Sequence, residues 1–226
     1  MKKVNVLLVT VSIALTSFAQ PQAGSLGVEV NFDPFKAITP TFSIDGLSVR
    51  YFISGDLAVR GSLNFASSPN TAYSYVTVGT DETEFKTKTN VTTFGFTPGV
   101  EYHLVKFEKG SLYAGAEIGY ALTSASASTT NNKNDDGRTL KGSDDAGNRS
   151  QSAFGLAVFT GVNYYLTKNL YLGAELGLGY SSSKNKEIVE KTTTGGTSTE
   201  TTDKDYSKNG NIGFAAVPTF RLGWNF

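Results

Sequence analysis

Cysteine is absent from this sequence of 226 residues, and histidine, tryptophan and methionine each occur only once. The lack of cysteine excludes disulfide bonds, thiolate metal sites, a thiol nucleophile and lipid attachment to an N-terminal cysteine. The formal net charge is zero, so the charge balance does not favour nucleic acid as a partner. Few of the side chains that usually carry catalysis or hold metals are therefore available.

Long apolar runs are also missing after residue 20, where no stretch approaches the roughly 20 residues that a transmembrane helix needs. An apolar run over residues 4–18 follows two lysines and ends at small residues around Ala19. This arrangement predicts a signal peptide over residues 1–19 and a barrel domain over residues 20–226. A retained membrane helix is the alternative, but the run is too short and contains Thr10 and Ser12.

What the sequence has instead is alternation of apolar and polar residues, together with 24 glycines, 15 phenylalanines and 11 tyrosines. A period of two is typical of β-strands, and it recurs in eight segments. The predicted strands cover residues 26–32, 47–53, 57–65, 94–102, 112–120, 154–164, 170–180 and 212–226. Pro98 and Pro218 fall inside two of them and predict a bulge at each position, because proline removes a ladder hydrogen bond.

The connections between these strands alternate in length. Short turns follow the second, fourth and sixth strands, whereas the polar segments 66–93, 123–153 and 181–211 are long. This pattern is typical of outer-membrane barrels, in which short turns face the periplasm. It predicts an all-β fold, an eight-stranded antiparallel up-and-down transmembrane β-barrel with long extracellular loops, short periplasmic turns and both chain ends on the periplasmic side. Gly79-Thr80-Asp81 and Gly195-Gly196 predict hairpins within the loops that project strands past the membrane.

Charged residues lie on the less apolar face of the predicted strands. An eight-stranded barrel has a lumen only wide enough to be filled by side chains, and charges buried there must be paired. A lumen ion-pair network is therefore predicted from seven residues: Glu29, Arg50, Arg60, Glu101, Glu117, Glu175 and Arg221. Glu29 would lie between the strands of Arg50 and Arg221 once the barrel closes. Inward glycines such as Gly115 and Gly223 would leave room for arginine and tyrosine side chains.

Aromatic residues bracket several strands at a spacing that fits a membrane. Phe94 and Tyr102 are eight residues apart, and Phe154 and Tyr164 are ten residues apart. At about 3.3 Å per residue and a tilt near 40°, these pairs span roughly 20 to 25 Å, close to the apolar band of a membrane barrel. The spacing favours an apolar face turned toward lipid. A secreted lipocalin-like barrel or sandwich, with that face turned inward, is the alternative.

The ending Arg221-Leu222-Gly223-Trp224-Asn225-Phe226, with the eight alternating segments and the unequal loops, resembles small outer-membrane β-barrels of the OmpX-like and OmpA-like type. The resemblance implies residence in the outer membrane of a Gram-negative-type bacterium, in contact with outer-membrane lipid and lipopolysaccharide. It also implies that Trp224 and Phe226 form a C-terminal signal read by the barrel assembly machinery.

No catalytic residue, metal site or cofactor is predicted. His103 lies at the periplasmic end of its strand with no serine two residues on. The stretch from Asn132 to Gly137 resembles the start of a calcium loop, but Ser143 stands where a bidentate glutamate is required. The favoured function is a structural or surface-interaction role, including adhesion to a surface protein or host ligand through the long loops, for a monomer with a filled lumen. The alternative is a narrow gated pore for ions or small solutes.

Overall fold

The computed structural model of the chain describes residues 20–32, 44–132, 136–204 and 207–226. The predicted signal peptide, residues 1–19, lies outside the described residues. The described part of the chain contains no helix that is long and apolar enough to cross a membrane. The strands are β1 (Leu26–Phe32), β2 (Ile44–Phe52), β3 (Leu57–Val78), β4 (Asp81–Phe107), β5 (Gly110–Asn131), β6 (Gly137–Lys141), β7 (Gln151–Tyr165), β8 (Leu170–Asn185), β9 (Ile188–Thr194), β10 (Thr197–Asp203) and β11 (Lys208–Asn225).

Eight of these strands form a closed ring of antiparallel pairs. The ring runs β1–β2–β3–β4–β5–β7–β8–β11 and returns to β1, so each member has a partner on both sides. Closure leaves no open sheet edge in this part of the molecule, as a β-structure within a membrane requires. The predicted eight-stranded antiparallel barrel is confirmed.

Three short turns lie at one end of the barrel, which we call the turn end. They join β2 to β3, β4 to β5 and β7 to β8, and the start of β1 and the finish of β11 lie at the same end. The chain termini are tied together there, because Phe226 donates its N–H to the carbonyl of Leu26 at 2.8 Å. The opposite end, which we call the loop end, carries the long connections.

Three of the strands that reach the loop end are longer than the sequence pattern predicts. β3, β4 and β5 contain 22, 27 and 22 residues, whereas a membrane crossing needs about 9 to 11. The β3–β4 pairing continues in one register from Leu57 and Tyr102 to Val78 and Asp81, so most of the predicted loop 66–93 is hairpin. The hairpin predicted at Gly79-Thr80-Asp81 is confirmed. Strands outside the membrane do not need an apolar face, so alternation of polarity could not indicate how far β3 and β4 extend.

The extended strands join three further strands to form what we call the surface sheet. It consists of the loop-end halves of β3, β4 and β5 followed by β6, β9 and β10. β5 exchanges its partner at this point, since it pairs with β7 up to Thr123 and with β6 from Ser126. At the fork the buried Ser150 accepts a hydrogen bond on its Oγ from the Ala125 N–H at 2.8 Å.

The two strand prolines have different effects on the ladder. Around Pro218 the β11–β8 register shifts between Ala215 and Thr219, as a bulge requires. Around Pro98 the predicted bulge is wrong, because Phe96 pairs with Tyr120 and Gly99 with Glu117 in one unshifted register. The missing proline N–H instead interrupts the β4–β5 ladder locally. The irregularity of β4 lies nearer the turn end, between His103 and Val105.

Apolar side chains cover the outside of the barrel. Ile118, Leu176 and Val158 are 52%, 52% and 56% exposed, while the residues between them along each strand turn inward. Phe94 and Tyr102 are about half exposed at opposite ends of this apolar band. Such an outer surface suits hydrocarbon with aromatic residues at both interfaces.

Candidate functional site

The structure brings all seven charged residues predicted for the lumen into one connected network. Its turn-end layer contains Glu29, Arg50 and Glu101, each about 1% exposed. Arg50 lies between the two acids, with Nη2 at 2.8 Å from Glu29 Oε1 and Nε at 2.9 Å from Glu101 Oε1. Burial of this kind is tolerated because each charge has an opposite partner.

Arg221 and Arg60 connect this layer to the middle of the lumen. Arg221 lies 3.3 Å from Glu29 and 3.1 Å from Glu175. Arg60 lies 2.7 Å from Glu175, 2.5 Å from Glu117 and 3.8 Å from Glu101. The residues in contact come from different strands around the ring, so the network crosses the lumen.

Aromatic residues complete the packing around the charged network, and the sequence analysis did not predict them. Tyr171 donates its hydroxyl hydrogen to Glu29 at 2.6 Å, and Tyr113 donates to Glu175 at 3.2 Å. The Arg60 guanidinium carbon lies 3.7 Å from the centre of the Phe159 ring, a cation–π contact. Their place in the sequence could have predicted this, because Tyr113 and Tyr171 lie on the same strand faces as Glu117 and Glu175.

His103 belongs to the same packed layer. Its Nε2 lies 3.1 Å from Glu101 Oε1, and its Nδ1 lies 2.9 Å from Ser111 Oγ. His103 is only 3% exposed and its ring packs near Phe52 and Tyr113. We call this packed layer the plug. It consists of the charged network together with His103, Tyr113, Phe159 and Tyr171.

Inward glycines make the plug possible. A Cβ at Gly115 would meet the Phe159 ring, one at Gly161 would meet Tyr113, and one at Gly223 would meet Tyr171. Inward glycines nearer the loop end are different, because a Cβ at Gly179 would have only the Leu156 carbonyl at 3.4 Å and Ala157 at 3.7 Å nearby. Among the residues that the structure describes, the lumen is therefore tightly packed toward the turn end and less crowded toward the loop end.

A cavity of about 900 Å³ occupies the less crowded part. Its inward lining follows five consecutive barrel strands along directly paired residues: Arg60, Gly99, Glu117, Ala157 and Gly179. A single cavity that touches five neighbouring strands of a closed barrel lies on their concave side, within the lumen. Ala157 and Gly179 are half-buried, as the wall of an open space should be. We call this cavity the cup; Arg60 and Glu117 form its floor.

A family model described as "Putative OmpA-OmpF-like porin family" matches residues 38–226. The chain belongs to this family. It is an outer-membrane β-barrel protein of a Gram-negative-type bacterium. Comparison with curated proteins gives no significant match.

Three solved outer-membrane proteins are similar to this porin-family chain. OprG from Pseudomonas aeruginosa is 12% identical, with 93% of this chain and 99% of that chain covered and a TM-score of 0.42. A major outer membrane protein from Thermus thermophilus is 15% identical, with 91% and 100% covered and a TM-score of 0.43. Ail, the attachment invasion locus protein of Yersinia pestis, is 15% identical, with 89% and 95% covered and a TM-score of 0.32.

The surface sheet of this porin-family barrel has its own ion pairs. Arg138 on β6 lies 2.6 Å from Glu190 on β9 and 2.6 Å from Asp145 in the β6–β7 connection. The hydrogen bond from Arg138 holds the pKa of Glu190 below its ordinary value, and the same bond raises the pKa of Arg138. These contacts fix β6 against β9 outside the membrane.

The two residues of the predicted assembly signal lie at the turn end. Trp224 pairs with Val28 on one side and with Leu170 on the other. Phe226 follows the last residue of β11 and is 72% exposed. Their recognition by the barrel assembly machinery stays a prediction.

Proposed function

We propose that this porin-family barrel is a cell-surface interaction protein, in which the filled barrel anchors the surface sheet and the edge of that sheet binds another polypeptide. The observation that carries the proposal is β10, which pairs with β9 on one side and is exposed at every residue. Among the described strands, none pairs with its other side. An unpaired strand edge offers main-chain N–H and C=O groups to an added strand.

The opposite edge of the surface sheet is less suited to strand addition. Beyond Leu63, β3 pairs with β4 and with no other described strand. Pro69 lies within that edge and has no N–H to donate, and proline or lysine on an edge strand discourages pairing with another chain. β10 contains neither proline nor lysine. The β10 edge is therefore the favoured docking position.

The charges of β10 define the partner that would fit it. Glu200 and Asp203 are the charged residues of this strand, and both are acidic. Cross-strand pairs of opposite charge stabilise a sheet, whereas like charges placed opposite each other destabilise it. The partner is therefore an extended segment of a surface protein or host ligand that carries lysine or arginine.

Removal of the β9–β10 hairpin tests this function. Joining Glu187 directly to Lys204 deletes the favoured edge but leaves the eight-stranded ring intact. We expect bacteria that display this variant to lose binding to host or neighbouring cells, measured as adherent cells per target cell.

The matched control replaces Gly195-Gly196 with Asn-Gly. Both glycines have positive φ, of 59° and 79°, and Asn-Gly supports the same two-residue hairpin turn. This variant should bind like the wild type, whereas Glu200→Lys should bind less. Unchanged adhesion after the hairpin deletion would count against the proposal.

A further inference from the structure

The cup is a cavity that the proposed surface interaction does not use. The plug closes it toward the turn end, where Phe159 lies beneath the Arg60 guanidinium. Toward the loop end, the next inward positions of β5 and β7 are Gly119 and Gly155. A Cβ at these positions would make only ordinary contacts, with Thr97 Oγ1 at 3.4 Å and with the Tyr180 carbonyl at 3.6 Å. Within the described part of the chain, access to the cup is therefore freer from the outer side of the membrane than from the turn end.

The floor of the cup carries an incompletely neutralised carboxylate. The lumen network of described residues contains four glutamates and three arginines. Glu117 touches Arg60 through Oε2, and within the described part of the chain its Oε1 has no hydrogen bond. The Glu117 side chain is 24% exposed, in contrast to 1% for Glu29 and 0% for Glu101. The partly exposed Glu117 side chain lines the cup.

We propose that the cup is a binding site for a small organic cation, an amine with an apolar body, taken from the outer side of the membrane. The ammonium group donates a hydrogen bond to Glu117 Oε1, and the apolar body lies against the glycine and alanine walls. Ligand sites commonly combine a largely apolar lining with a few polar groups that fix orientation. Hydrogen bonds between charged partners are about twice as strong as neutral ones.

Other ligand classes fit the floor less well. An anion would be repelled by the carboxylate of Glu117, and Nη1 and Nη2 of Arg60 already bond Glu175 and Glu117. A calcium ion takes 6 to 8 oxygen ligands, and the described inward lining residues Arg60, Gly99, Glu117, Ala157 and Gly179 include a single carboxylate. The charge and the apolar walls together favour the organic cation.

A set of three naphthalene probes that differ in charge tests the site in purified protein reconstituted into lipid nanodiscs. The probes are naphthylmethylamine, the neutral naphthylmethanol and the anionic naphthylacetate, with binding measured by naphthalene fluorescence anisotropy against empty nanodiscs. The wild type should bind the amine at least about tenfold more tightly than the alcohol, which corresponds to one charged hydrogen bond. Glu117→Gln should abolish this preference.

Two further variants separate binding in the cup from partition into lipid. Gly179→Phe places a ring in the cavity and should remove specific binding of the amine. Glu200→Gln removes a charge from the surface sheet and should leave binding unchanged. Folding of each variant is checked by the mobility difference between boiled and unboiled samples. Equal binding of amine and alcohol by the wild type, or an amine preference that survives Glu117→Gln or Gly179→Phe, overturns the proposal.

Discussion

Glycine has two opposite roles on the inner face of this barrel. At Gly161 and Gly223 the missing side chain is replaced by a tyrosine ring from a neighbouring strand, whereas at Gly177 and Gly179 an added Cβ would meet only ordinary contacts of 3.4 to 3.7 Å. Inward-facing glycines therefore help to form the plug in the turn-end half of the barrel and the cup in the loop-end half. What differs is the neighbour, since Tyr113, Phe159 and Tyr171 all lie toward the turn end.

A pair of alanine substitutions distinguishes these two roles. In Gly223→Ala the added Cβ would overlap the buried Tyr171 ring, which is held by Glu29, so we expect a loss of about 1 to 3 kcal/mol from overpacking. Gly179→Ala meets ordinary contacts of 3.4 and 3.7 Å and should change stability by less than about 0.5 kcal/mol. Urea unfolding of protein folded into lipid vesicles, followed by far-UV circular dichroism, measures both. Equal losses would contradict the distinction.

Asp144 makes the β6–β7 connection sensitive to acid. Its Oδ1 accepts hydrogen bonds from the N–H groups of Ala146 at 3.0 Å and Asn148 at 2.8 Å, and its Oδ2 accepts one from the Asn148 side chain at 2.5 Å. These hydrogen bonds hold the pKa of Asp144 below its ordinary value, and the bond from the Asn148 side chain has the largest effect. The carboxylate form is the one that the folded turn stabilises.

The turn should therefore be intact above the ordinary pKa of an aspartate and should open as the pH falls through the lowered pKa. Asp144→Asn mimics the protonated carboxyl and should show the open turn at neutral pH. The NMR chemical shift of the Asn148 amide, recorded from neutral to acidic pH, reports the opening. If the chemical shift of the Asn148 amide in Asp144→Asn equals that of the wild type at neutral pH, this mechanism is refuted.

Among the strands, β4 shows how a membrane barrel accommodates an internal proline. Pro98 pairs with Gly61 on the β3 side, but neither Thr97 nor Pro98 pairs with β5 although the register is unshifted. The chain keeps its alternation and gives up ladder bonds instead of inserting an extra residue. The Pro98 ring lies on the outward face, at the level of the cup.

Replacing this proline should strengthen β4. Pro98→Val supplies an N–H that can bond the carbonyl of Ile118 and an outward side chain suited to lipid, so we expect a gain of about 1 kcal/mol. Pro69→Val is the control, because Pro69 already pairs with Asn90 on an edge strand. Samples heated to increasing temperatures are run on a gel without boiling. The temperature at which half of the band of folded protein is lost measures the stability of each variant. No gain in Pro98→Val would indicate that the Ile118 carbonyl is already satisfied.

For the molecule as a whole, we expect the plug to prevent the barrel from conducting ions. Arg50, Arg60 and Arg221 bridge opposite walls through four glutamates, and aromatic rings fill the space between them. A continuous water path would have to separate several of these pairs at once. Membership of the porin family therefore does not by itself imply a pore.

Wild-type protein should consequently give no steady current in planar lipid bilayers. Arg221→Ala removes the guanidinium that Glu29 and Glu175 share, so water should enter and conductance should rise above the wild-type value. Glu200→Gln in the surface sheet should remain silent. Steady conductance of the wild type would favour the narrow pore over a filled anchor.

Much of the barrel could be predicted from the sequence because alternation is a local signal. The eight strands, their antiparallel order and their inner and outer faces follow from residues such as Glu117 and Ile118, whose parity separates lumen from lipid. Glu29 lies between Arg50 and Arg221 as barrel closure predicts, with contacts of 2.8 and 3.3 Å. The turn signals predicted the hairpins at Gly79-Thr80 and Gly195-Gly196, which the pairing of Val78 with Asp81 and of Thr194 with Thr197 confirms. The length of the polar parts of β3 to β5 and their side-by-side pairing could not be predicted, because these parts show no alternation.

The inward and outward side chains could be assigned from the sequence alone, since a period of two sets the face of every residue once the strands exist. Their contacts with one another could not be assigned without the folded barrel. Arg60 contacts Glu175, 115 residues away, and β6 pairs with β9 although β7 and β8 lie between them in the chain. The physical reason is that strand stagger and closure set the depth of each inward residue, and this depth divides the lumen into a packed plug and an open cup.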